Sequence, residues 1–126
     1  MKAYDPLSAP LSEDWLGLDE TERIRLVREY HRRTGQEIPG EKLHAVIHVT
    51  VENQVLLGDE TPVAGTLQRL MDEGLDRHEA IHAIGGVLIE HMWDVLKSKG
   101  KADISNEAYF DSLRSLTAQS WLDQFR

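Results

Sequence analysis

Two histidine pairs stand out in this chain: His44/His48 in HAVIHVTVENQ and His78/His82 in RHEAIH, each with its members four residues apart. Residues four apart stack on one helix face, so each pair aims both imidazoles the same way. Six histidines scattered over 126 residues would produce only about a quarter of one such pair by chance. Two such helices packed face to face would gather four ring nitrogens, with carboxylates beside them. That is the donor set of a transition-metal site. The chain has no cysteine, so any metal must be held by imidazole and carboxylate alone.

At about 100° per residue, His44 and His48 share a face with Val51 and Val55, and Glu41 and Glu52 lie along its flank. On the later stretch His78 and His82 share a face with Ile89 and Trp93, and Glu79 and Glu90 lie to one side. His91 points elsewhere. HEAIH also matches HExxH, in which two histidines hold zinc and the glutamate activates its water, so Glu79 is the candidate general base. A bland role competes for the same residue, because Asp76-Arg77-His78-Glu79 reads as a capping box. Glu90, His44 or His48 would complete the ligand set.

A second metal chemistry fits the spacing. Glu41-Lys42-Leu43-His44 and Glu79-Ala80-Ile81-His82 are both Glu-x-x-His, as in carboxylate-bridged di-iron and di-manganese bundles. The additional carboxylates, Glu52 and Glu90, lie on the same two helices rather than on two others, which ranks that arrangement below a mononuclear site. Gly85 and Gly86 follow one turn after His82. Each costs about 1 kcal/mol against alanine in a helix, so the pair marks either a close helix approach or open space beside a metal, the first being commoner. Without a metal, the histidines would be core residues hydrogen-bonded across helices. Four in two matched pairs strain that alternative, since they would be desolvated together and repel on protonation, a conflict that a shared cation removes. His31, in YHRRTG among basic residues, reads as surface.

The elements that must position these residues read as helices. Residues 1–18, with Pro6 and Pro10, read as an extended arm pinned by Trp15 and Leu16, followed by a single helical domain over 19–126. Asp19 to Glu22 matches a capping box and opens a helix carrying Ile24, Leu26, Val27 and Tyr30, which Gly35 ends. Pro39-Gly40 opens a segment from about Glu41 to Leu57. Its β-branched run admits a strand, but its length and histidine spacing favour helix. Thr61-Pro62 caps a helix with Val63, Leu67, Leu70 and Met71 as its stripe, closed by Gly74. Asp76 opens a long helix to about Lys97, and Ser105 starts the last helical segment, with Tyr109, Phe110, Leu113, Leu116, Trp121, Leu122 and Phe125 available for burial. The expected fold is all-α, a compact bundle of about five helices in which sequence neighbours run antiparallel.

Composition narrows the function. A net charge of -8 argues against nucleic acid and anionic membranes as partners. No apolar run approaches a membrane span and no leader is evident, so a cytoplasmic protein is expected. There is no cysteine nucleophile, no G-x-S-x-G elbow and no phosphate-cradling glycine loop.

His44-xxx-His48 followed by Glu52-Asn53-Gln54, and His78-xxx-His82 followed by Glu90 and Trp93, resemble a family of short bacterial proteins known as domain of unknown function 1841. The resemblance covers roughly residues 44 to 96 and implies an all-helical domain while lending no activity. It singles out Glu90 and Trp93 beside the histidines. Glutamate directly after the first histidine of the second pair is not general in that family, which weakens the zinc-protease reading of HEAIH.

These features point to a small metal-binding helical protein. His44, His48, His78 and His82 are its candidate ligands, and Glu52, Glu79 and Glu90 are further ligands or residues that orient them. Zinc suits the imidazole count, iron or manganese if carboxylates join. An enzyme built on such a site would be a metal-dependent hydrolase with Glu79 as base. The competing class is a non-catalytic interaction or structural protein, such as a homodimer joined through Trp93, Trp121 and Phe125.

Overall fold

In a computed structural model of the chain, which describes residues 1–35, 40–98 and 106–124, every regular element is helical. The order is α1 Ser12–Leu16, α2 Glu20–Arg33, α3 Glu41–Leu56, a single 3-10 turn Gly58–Glu60, α4 Val63–Asp72, α5 Arg77–Lys97, α6 Glu107–Ser115 and α7 Ala118–Asp123. Five of the α-helices have nine residues or more. None of the described helices is long and apolar enough to cross a membrane.

α3 sits at the centre because it is apolar on two opposite sides. Ala45 and Val49 join Tyr4, Trp15, Leu26 and Val27 in a cluster between α3, α2 and the N-terminal arm. Ile47 and Val51 join a larger cluster with Val63, Leu67 and Leu70 of α4, Ile81, Ile84 and Leu88 of α5, and Tyr109 and Leu113 of α6. At about 100° per residue these faces lie on either side of the line that carries His44, His48 and Glu52. The polar residues therefore occupy the seam where two hydrophobic clusters meet.

The triplet Glu52-Asn53-Gln54 ties that centre to its surroundings, because successive helical residues point about 100° apart. Glu52 accepts from Tyr4 of the arm and Arg77 of α5. Asn53 accepts from the Trp15 indole at 2.8 Å and from Arg23. Gln54 accepts from the Tyr109 hydroxyl at 2.8 Å. Three neighbouring side chains thus hold the arm, α1, α2, α5 and α6 against α3.

Several boundaries depart from the sequence reading by local competition. The arm is not wholly extended: it contains α1, it buries Trp15, and it leaves Leu16 exposed. Asp19 caps α2 through the Glu22 amide, but the Glu22 carboxylate turns to Arg25 instead of closing the box. Thr61 accepts from the Val63 amide and Pro62 takes the capping position, one residue later than expected. The last segment is two helices, because Leu116 is extended and Thr117 starts a fresh capping box with Ser120. Pro39, Ser105 and Phe125 lie outside the described residues.

Gly85 explains one of the paired glycines. A β-carbon there would lie 2.8 Å from Ile47 Cγ2, so its bareness lets α5 close on α3. At Gly86 the same atom would meet nothing within 4 Å. Gly85→Ala should therefore lower stability by about 1–3 kcal/mol through overpacking against a stiff β-branched neighbour. Gly86→Ala should raise it by up to about 1 kcal/mol. Urea midpoints of the two variants check the contrast.

Candidate metal centre

Five imidazoles converge from three helices. His48 and His82 bring their Nε2 atoms to 3.0 Å, and His44 and His31 bring theirs to 3.2 Å. His78 lies beside His82, with ring centroids 4.2 Å apart. His31, His48, His78 and His82 each present one ring nitrogen within 4.8 Å of the others, a group that could hold a metal ion. Two nitrogens bound to one zinc at about 2.0–2.1 Å lie about 2.8–3.4 Å apart for bond angles between 90° and tetrahedral. The two short pairs fall in that range, which is also hydrogen-bond distance, and the group of four spreads to 4.8 Å.

Two tautomers follow from the surrounding hydrogen bonds. His31 Nδ1 lies 2.9 Å from the Val27 carbonyl, which only accepts, so Nδ1–H donates and the Nε2 lone pair faces the cluster. The Tyr4 hydroxyl donates to Glu52 Oε2 at 2.5 Å, so its oxygen accepts from His48 Nδ1–H at 3.1 Å. His48 Nε2 then carries a lone pair too, which faces His82 Nε2 at 3.0 Å. This is how outer partners orient ligating histidines at metal sites. His78 Nε2 is buried and has no hydrogen-bond partner. An orphaned buried polar atom costs about 1–3 kcal/mol, which a ligand at that position would relieve.

Electrostatics keep the rings neutral. Desolvation by burial, with the other histidines next, lowers His44 to about 4 and His82 to about 3. Burial pushes His48 far below its ordinary range, and His31 and His78 are lowered by the same cause. Neutral imidazole is the form that binds metal. Burial and then the Glu52 carboxylate hold the Tyr4 phenol well above its usual range, so it remains a donor. Glu52 meets Arg77 through two bonds, 2.7 and 2.9 Å, in a nearly water-free setting, and Arg77 also donates to the Pro6 carbonyl at 2.9 Å. The arm and the ion pair form one connected support under His48.

Not every candidate residue comes to this point. His44, His48, His78 and His82 do meet. Glu52 touches the cluster only through Tyr4, its oxygens being taken by Arg77 and the phenol. Glu90 is exposed and borders a surface groove with Val87, Asp111 and Ser115. Glu79 closes the capping box, its carboxylate accepting from the Asp76 amide at 3.0 Å and its own amide donating to Asp76 at 2.7 Å. Glu41 pairs with Arg28 and Arg32. Trp93 is 55% exposed, and His91 stacks on Tyr109.

His31 corrects the sequence reading: it is 1% exposed and central, not on the surface. Its signal was periodic. Ile24, Val27 and His31 follow the i, i+3, i+7 spacing of a buried stripe, which the flanking arginines obscured. Tyr4, in a proline-bounded arm, carried no periodic signal.

The model of a domain of unknown function (DUF1841) matches residues 15–115. The chain belongs to this family. The match extends well beyond the two histidine segments and takes in His31 and α6. Neither the curated proteins nor the solved structures yield a match.

Removing the Tyr4 hydroxyl strands His48 Nδ1–H and leaves Glu52 Oε2 with Arg77 as its donor, so Tyr4→Phe should cost about 1–3 kcal/mol. Arg77→Leu, which leaves Glu52 buried and unpaired, should cost about 3–5 kcal/mol, both measured by chemical denaturation. In metal-free protein the unfolded chain takes up protons on its histidines near pH 6.5 while the folded rings stay neutral. Stability should therefore fall as pH drops from about 6.5 toward 4, by about 1.4 kcal/mol per pH unit for each ring that stays neutral across the window, as His48 and His82 do, and by less for His31 and His78. Urea titrations between pH 7 and 4.5 read this slope; a flat profile would contradict it.

Proposed function

We propose that this protein binds a divalent transition metal through the imidazoles of His31, His48, His78 and His82, with His44 beside them and zinc as the favoured ion. The observation that carries the reading is the buried, unpartnered Nε2 of His78 in a group where His31, His48, His78 and His82 each present one ring nitrogen within 4.8 Å of the others. A nitrogen-only set favours zinc or its later first-row neighbours. Iron or manganese would call for carboxylates, and Glu52 and Glu90 are engaged or placed elsewhere. Metal-assisted hydrolysis with Glu79 as base has less support, since that carboxylate is held by the Asp76 amide. The proposal is therefore a metal-binding domain, with the metal supplying Lewis acidity to whatever reaches it.

Protein purified without a histidine tag should carry about one equivalent of metal by elemental analysis. It should melt several degrees higher with zinc than with chelator, since ligand at 100 times its Kd adds about 2.7 kcal/mol. His78→Gln and His82→Gln should abolish uptake, whereas Tyr4→Phe should weaken it by the roughly 10–100-fold typical of an outer partner. Metal-free wild type whose melting temperature ignores zinc would overturn the reading and return the histidines to a purely structural role.

A further inference from the structure

The two sides of the histidine cluster are unlike. On one side aromatic rings close it: Tyr30 meets His31 and His78 edge-on at 5.3 and 5.6 Å, and Tyr4 meets His48 edge-on at 5.9 Å. On the other side lies a cavity of about 120 Å³, lined by His44, His48 and His82 and walled by Ile47, Ile81 and Ile89. Gly85 and Gly86 complete the wall, and Gly86 is exposed, with open space where a side chain would start. A liquid water occupies about 30 Å³, so the space suits a ligand of a few heavy atoms.

Charge sets the class of that ligand. Imidazole ligands add no negative charge, and the buried carboxylate of Glu52 is already matched by Arg77. Glu41 and Glu79 are committed to Arg28 and Arg32 and to the Asp76 amide. A dication here would keep its charge uncompensated in a poorly solvated site, where Coulomb attraction is strong. Isoleucine walls give a ligand no hydrogen-bond partner and no counter-charge, so its one strong contact would be with the metal.

We propose that the Gly86 cavity is a ligand channel that admits a small monovalent anion to an open coordination position on the metal. This rests on the metal-binding reading above, and deepens it from a closed structural site to an open one. Four imidazoles fill a tetrahedral zinc site, so the open position is a fifth one, reached by the expansion that zinc also makes in catalytic sites, and it would face the cavity.

The test loads the full chain with Co²⁺ and titrates azide while recording the cobalt d–d absorption. Wild type should bind about one Co²⁺ and show a saturable spectral change with azide. Gly86→Ala, which meets no neighbour, should behave as wild type. Gly86→Leu, which closes the mouth, should keep its cobalt and lose azide affinity at least tenfold. Should that variant not fold, Ile89→Phe narrows the same space and should give the same loss. A cobalt-loaded wild type whose spectrum ignores azide, or a cavity-filled variant that binds it unchanged, overturns the open position while metal binding stands. Failure of wild type to take up cobalt or zinc removes the metal-binding reading and this inference with it.

Discussion

Burial of a polar seam between two hydrophobic clusters is the constraint on which this structure depends. α3 has apolar residues on two sides, so it must be enclosed, and enclosing it takes His48 and Glu52 out of water and His44 partly so. Each of those groups then needs a partner, because an unsatisfied buried polar or charged group destabilises by several times the net worth of a hydrogen bond. The rest of the fold reads as the supply of those partners. Arg77 comes from the start of α5, Tyr4 from the arm, His31 from α2 and His82 from α5.

This arrangement couples the N-terminal arm to the centre. Tyr4 lies in the arm, yet it is fully buried and joins His48 to Glu52. Pro6 contributes its carbonyl to Arg77, and Trp15 reaches Asn53. The segment that looks least structured by composition is therefore part of the support that fixes a ring orientation at the centre. A metal held by the cluster would be thermodynamically linked to docking of the arm through that one phenol.

Much of the architecture was legible. Four helix starts or stops carry residues whose backbone demands are unambiguous: Asp19 and Asp76 as N-caps, and Gly58 and Gly74 with positive φ after α3 and α4. The histidine pairs were legible because helical spacing alone puts their members on one face. Less legible were the outcomes decided by competition between partners. Glu79 chose between cap and catalysis, Glu22 between cap and Arg25, and Glu41 between its helix neighbours and α2. Each carboxylate could serve several donors, and spacing ranks none of them.

By itself, then, the sequence determined α2 to α5, their approximate ends and the pairing of His44 with His48 and His78 with His82, since all of these are local consequences of a period of about 3.6 residues. Only the tertiary structure decided that both pairs meet at one point, that His31 joins them, and that Glu90 and Trp93 do not. Those outcomes depend on how far one helix is rotated and slid against another. That rotation is set by contacts such as Gly85 on Ile47 and Arg77 on Glu52, between residues far apart in the chain.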